Sequence, residues 1–178
     1  GHAQYIDQSK YFSDDGGLTV NNASGDVHLK KVGQTYVASG WLESSTFDLG
    51  TAVNFTGLVV TPLSQPTSTG SNSVLLQLAT SNSSTPANWD FLGPDGTSAS
   101  YYSATSTLVN VVHNGNQYIR YRLFLQTDDT HTTPQVGEIA ITYTTGCTPP
   151  GQSFFGTIGS GTYTMQITRS GYTTASDL

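Results

Sequence analysis

Between Asn116 and Tyr143 the chain reads NQYIRYRLFLQTDDTHTTPQVGEIAITY, two alternating runs joined by a polar turn that closes on Pro134. In the first run Ile119, Tyr121, Leu123 and Leu125 fall on one side, and Tyr118, Arg120, Arg122 and Phe124 on the other. In the second, Ile139, Ile141 and Tyr143 oppose Glu138, Ala140 and Thr142. Successive side chains of a strand point to opposite faces, so the alternation predicts a sheet with one face in a core. The class that follows is an all-β, antiparallel β-sandwich, in which function sits on a sheet face or in loops.

The rest of the sequence has the same texture. From Leu18 onward short apolar runs alternate with turns: LTV, the turn NNASGD, VHLKKV, the turn GQ, TYVASGWLESSTFDLG, FTGLVVTP, SVLLQLAT and TLVNVV. Strands and turns at this spacing are the mark of sandwiches and barrels. Residues 1–17 read as an extended arm or a short helix, 18–145 as the sandwich, and 146–178 as a short β extension or part of a second domain. The break at TTGCTPPGQ separates the last two, and about thirty residues beyond it are too few for an independent core. Residues 81–106 form a long connection that carries Trp89, Phe91, Tyr101 and Tyr102. Connections of that length are functional or are held down by their own aromatics.

Composition removes several classes of function. Charged residues are only 10% of the chain, against about 25% in ordinary globular proteins. Six Lys and Arg at a net charge of −6 cannot make the basic stripe that phosphate neutralisation needs, so nucleic acid is not an expected partner. No apolar run approaches the roughly 20 residues that span a bilayer, so membrane insertion of this segment is not expected either. Cys147 stands alone and is either a free thiol or paired outside this sequence.

Catalytic patterns are missing. The four histidines have no metal-ligand spacing, and no serine stands in G-x-S-x-G. Two glutamates and ten aspartates carry no motif that would pair them for glycoside hydrolysis. The expectation is a protein that is not an enzyme.

Aromatic residues carry the binding expectation. Sugar rings present apolar C–H faces that stack on Trp and Tyr, while Asn, Gln, Asp and Arg satisfy hydroxyls. Trp89, Tyr101, Tyr102 and Tyr118 are the candidate platforms, with Asp90 and Arg120 as candidate polar contacts. Trp41 is a further aromatic that reads more readily as core, and Trp89 itself also reads as a core residue, less strongly than Trp41 does.

The blocks SGWLESSTFDLG, FTGLVVTP, SVLLQLATSNSS, NWDFLGPDG, QYIRYRLFLQTDD and TPQVGEIAITY, in that order, resemble jelly-roll modules similar to the galactose-binding-like superfamily. Such modules recur in bacterial secreted and surface-attached proteins, some of them pilin-like. The resemblance implies a jelly-roll sandwich, an extracellular or cell-surface location, and a structural Ca²⁺ held by carboxylate and backbone oxygens. Asp48 and Glu138 are the candidate Ca²⁺ ligands, on condition that their strands are neighbours. Residues 148–174 resemble the last strands of carboxypeptidase-regulatory-like or collagen-adhesin B-type repeats. The implied function is adhesion or tethering of a larger bacterial surface protein through a polysaccharide or glycan, or through another surface ligand. The alternative is a structural spacer or pilin-like subunit whose partners are neighbouring domains or copies of itself, and a third reading is an accessory domain of a polysaccharide-degrading enzyme.

Overall fold

A computed structural model describes residues 11–20, 22–104, 108–145, 165–167 and 175–177. The chain divides into two compact units, 1–146 and 147–178. The described strands of the first unit are β1 (Tyr11–Asp14), β2 (Leu18–Thr19), β3 (Val27–Leu29), β4 (Lys31–Val32), β5 (Thr35–Tyr36) and β6 (Ser39–Ser44). They continue with β7 (Phe47–Thr61), β8 (Val74–Ser81), β9 (Tyr102–Ser103), β10 (Asn116–Gln126), β11 (Gln135–Val136) and β12 (Glu138–Thr145). Short 3₁₀ turns lie at Thr67–Thr69 and Val111–His113. In the second unit β13 (Met165–Ile167) and β14 (Ala175–Asp177) pair antiparallel.

The fold is all-β with antiparallel pairing throughout the described residues, as the alternation predicts. A seven-stranded sheet runs β1-β6-β10-β7-β12, with β8 against β10 and β9 against β8, and a three-stranded sheet runs β11-β3-β2. The end of the N-terminal arm is strand rather than helix, because Tyr11–Asp14 pairs with β6. Residues 1–10 and most of the tail lie outside the described residues.

The central strand is β10. Ile119, Tyr121, Leu123 and Leu125 are all buried, and share one core with Leu42 of β6, Leu76 and Leu78 of β8 and Ile139 and Ile141 of β12. Leu18, Val27, Leu29 and Val136 join that core from the smaller sheet. Burying a Leu or Ile side chain contributes roughly 1.5–3 kcal/mol, so the apolar face of β10 alone outweighs any polar contact described below.

Strand β7 is longer than its two sequence blocks suggest because it serves two neighbours. Phe47 and Asp48 pair with β10, whereas Val53 to Thr61 pair with β12. The switch is made at Gly50, which has φ +78 and whose N–H donates to Asp48 Oδ1. A residue other than glycine is strained there, and a glycine in this conformation is the usual device of a bulge. A second irregularity lies opposite Thr142 and Tyr143, where Phe55 and Gly57 flank one unpaired residue. It moves the buried positions of β7 from Val53 and Phe55 to Leu58 and Val60. One extra residue inverts the parity of everything beyond it.

Candidate functional site

The outer face of β10 carries Arg120, Arg122 and Phe124, and register decides what meets them. Arg122 lies between Glu43 of β6 and Gln77 of β8, and Phe124 between Trp41 and Leu75. Glu43 is only 6% exposed although it is a carboxylate. It accepts from Arg120 Nη1 at 2.8 Å on Oε1 and from Arg122 Nη2 at 2.9 Å on Oε2. Residues i and i+2 of one strand thus share a carboxylate on the next. A buried charge is tolerated when it is paired and hydrogen-bonded in this way.

Aromatic rings enclose both guanidinium groups. Arg120 Cζ lies 4.3 Å from the Phe12 ring centre and 4.8 Å from that of Trp89, and its Nε donates to Thr46 Oγ1 at 2.8 Å. Arg122 Cζ lies 4.1 Å from Phe91 and 5.4 Å from Trp41. These are cation–π distances, and partial desolvation strengthens them.

Trp89 and Phe91 reach the face because residues 82–101 fold over it. Gln77, buried on β8, donates through Nε2 to the carbonyls of Ser98 at 2.9 Å and Ser100 at 3.0 Å. Leu92 and Leu78 exchange backbone hydrogen bonds of 2.8 and 3.0 Å. The turn that follows closes on Asp95, whose carboxylate accepts from Ser100 Oγ and from Thr97, which holds it below the usual carboxylate range. Gly93 is required where the segment doubles back, since a Cβ there would run into the backbone carbonyl of Ser100. Tyr101 meets Phe124 edge to face at 5.4 Å.

Two open clefts result, one on each side of a ridge formed by Trp89, Phe91 and Arg122. The first, about 630 Å³, is lined by Trp89, Asp90, Tyr101 and Phe124, with Gln77 and Arg122 among its polar groups. The second, about 430 Å³, adds Phe12, Glu43, Arg120 and the Ser84–Asn88 stretch to the ridge. Their volumes fall in the range of small-ligand sites.

Of the residues singled out from sequence, Trp89, Asp90 and Tyr101 come together in the first cleft, and Arg120 lies in the second. Tyr102 does not join them: it is fully buried in the core and its hydroxyl accepts from Asn110 N at 3.1 Å. Tyr101, which immediately precedes β9, is exposed, whereas Tyr102, the first residue of β9, points into the core. Tyr118 is half-buried on the outer face and lines neither cleft, its hydroxyl accepting from Gln117 Nε2 at 3.3 Å. Phe12, Glu43, Phe91 and Gln77 are contributors that sequence reasoning passes over. A signal existed for Glu43, one of only two glutamates in the chain, placed two residues from Trp41 and so on the same side of a strand.

The proposed calcium pair is not brought together. Asp48 pairs with Tyr118 at one end of β7, whereas Glu138 pairs with Thr61 at the other. About 40 Å of strand path separates those ends at ~3.3 Å per residue. Asp48 is instead satisfied by Gln117 Nε2 and Gly50 N, each at 2.8 Å, which lower its pKa from the ordinary value. Among the described residues no three His, Cys, Asp or Glu side chains converge as a metal site would need.

No protein-family model matches this chain, and no curated protein matches it.

Proposed function

We propose that the chain is a non-enzymatic, extracellular module of jelly-roll sandwich type, similar to the galactose-binding-like superfamily, that binds carbohydrate on the outer face of β10 and tethers a larger surface protein. The observation that carries this reading is the first cleft, where Trp89 and Tyr101 border an open groove with Asp90, Gln77 and Arg122 beside them. Aromatic faces accept the C–H face of a sugar ring, and the Asp90 carboxylate and the Arg122 guanidinium supply an acceptor and donors for its hydroxyls. Binding is favoured over hydrolysis because Glu43, the carboxylate of the second cleft, is committed to two arginines. Glycosidases need a pair of carboxyl groups on either side of the scissile bond.

The test is a glycan and polysaccharide array on the folded protein, run with Ca²⁺ and with EDTA, for wild type and Trp89→Ala. The reading expects a specific signal that Trp89→Ala loses while its circular dichroism stays native. No signal from folded wild-type protein refutes it.

One observation favours the alternative of a structural spacer or pilin-like subunit. Thr56, Thr142, Thr144 and Thr145 are exposed along β7 and β12, and Thr56 Oγ1 and Thr142 Oγ1 lie 2.9 Å apart. A threonine-rich sheet face suits lateral packing, and sedimentation velocity at rising concentration would reveal it.

A further inference from the structure

The two clefts differ in charge, and the difference points to the ligand. In the first, Asp90 faces the same space as Arg122. In the second, Arg120 and Arg122 meet Glu43, and no other carboxylate among the described residues lines it. Two guanidinium charges against one carboxylate leave a single positive charge, in a chain whose net charge is −6. Two of its six basic residues are therefore spent side by side at one cleft.

The arginines also keep donor capacity. Arg122 donates through Nη2 to Glu43 and its side chain is 32% exposed, while its Nε is buried without a hydrogen-bond partner. Arg120 uses Nε and Nη1 and leaves Nη2 without a described partner. The rings of Phe12, Trp89 and Phe91 fix both guanidinium planes. A guanidinium held this way binds a planar anion with little further ordering, and low local dielectric raises the value of each charge-assisted bond.

We infer that the second cleft is an anionic subsite, and that the glycan bound on this face is acidic, a chain whose sugar units carry carboxylate or sulfate. One sugar would rest on Trp89 and Tyr101 in the first cleft, while the acidic group of its neighbour meets the Arg120–Arg122 pair across the ridge. This inference rests on the carbohydrate reading above and adds the ligand's charge to it.

The experiment compares polygalacturonate with the same polymer fully methyl-esterified, whose backbone is unchanged and whose charge is removed. Dextran sulfate and unmodified dextran form a second pair that separates carboxylate from sulfate. Affinity electrophoresis of the full chain is run at 20 mM and 500 mM salt, for wild type and Asn88→Asp. Asn88 is exposed on the rim of the second cleft, so the substitution adds a negative charge there without disturbing the core. The expected result is retardation about tenfold stronger by the charged member of at least one pair, reduced by Asn88→Asp and by high salt. Equal retardation by charged and uncharged members overturns the anionic subsite and leaves a neutral-glycan site standing. A charge preference that Asn88→Asp does not alter moves the anion elsewhere and overturns the subsite. Retardation by none of these polymers, together with a positive array signal from neutral glycans, overturns the inference alone. Silence on both overturns the carbohydrate reading as well.

Discussion

Replacing Glu43 with alanine tests whether the outer face is organised by one buried carboxylate. The side chain is 8% exposed and bridges Arg120, itself 12% exposed, and Arg122 at 32%. Removing one member of a buried pair costs about 3–5 kcal/mol, because the remaining charge is left uncompensated. The Arg122 half behaves more like a surface pair, worth about 1 kcal/mol or less. The two guanidinium groups would then face each other with nothing between them. Taken together the loss should be about 3 kcal/mol, which lowers the melting temperature by roughly 6–12 °C for a chain of this size. Urea denaturation followed by tryptophan fluorescence and by circular dichroism measures it. A cycle with Arg120→Met should return a coupling of about 1–3 kcal/mol. A loss below about 0.5 kcal/mol, or no coupling, would refute the claim that this carboxylate holds the site together.

Two further outcomes follow from buried groups. His113 is 1% exposed, with Nδ1 3.1 Å from Thr80 Oγ1 and Nε2 unpartnered, and burial pulls its pKa down to about 4 from the ordinary 6.5. The unfolded chain takes up a proton between those values that the folded chain refuses. Stability from this group is therefore complete above pH 6.5 and falls as the pH drops toward 4, by up to about 3 kcal/mol. Urea melts at pH 7 and pH 4.5 should show that loss in the wild type and a smaller one in His113→Asn; equal losses would place the proton uptake elsewhere. Tyr102→Phe removes the acceptor of the Asn110 N–H and should cost about 1 kcal/mol with glycan binding unchanged, whereas a binding defect in a stable variant would return Tyr102 to the ligand site.

Much of the architecture is legible in the alternation, since burial demands it of any strand with one face in a core. The faces of β10 and β12 follow from period alone, and so does the placement of Arg120 opposite Tyr121. Strand β7 is harder to read. Its length depends on a bulge at Gly50 and on a second at Thr56–Gly57, both of which shift parity without leaving an apolar signature. The site is partly legible for a similar reason. Trp89, Asp90 and Tyr101 are visible as polar–aromatic residues in a long connection, but where that connection lies depends on Gln77, a polar residue interrupting the apolar stretch Val74–Ala79. Glu43 and its arginines are 77 and 79 residues apart in sequence, and only strand register joins them. The expectation that Asp48 and Glu138 meet failed because β7 separates them along its length, which no local pattern records.

The central claim is that ligand meets this chain at Trp89 and its neighbours, and nuclear magnetic resonance of the ¹⁵N-labelled protein tests it most directly. Titration with the strongest array ligand should shift the Trp89 indole N–H and the Arg120 and Arg122 Nε signals, and leave the threonine face of β7 and β12 unmoved. Shifts confined to Thr56, Thr142 and Thr144, or no shifts at saturating glycan, would contradict the account and favour a packing surface in its place.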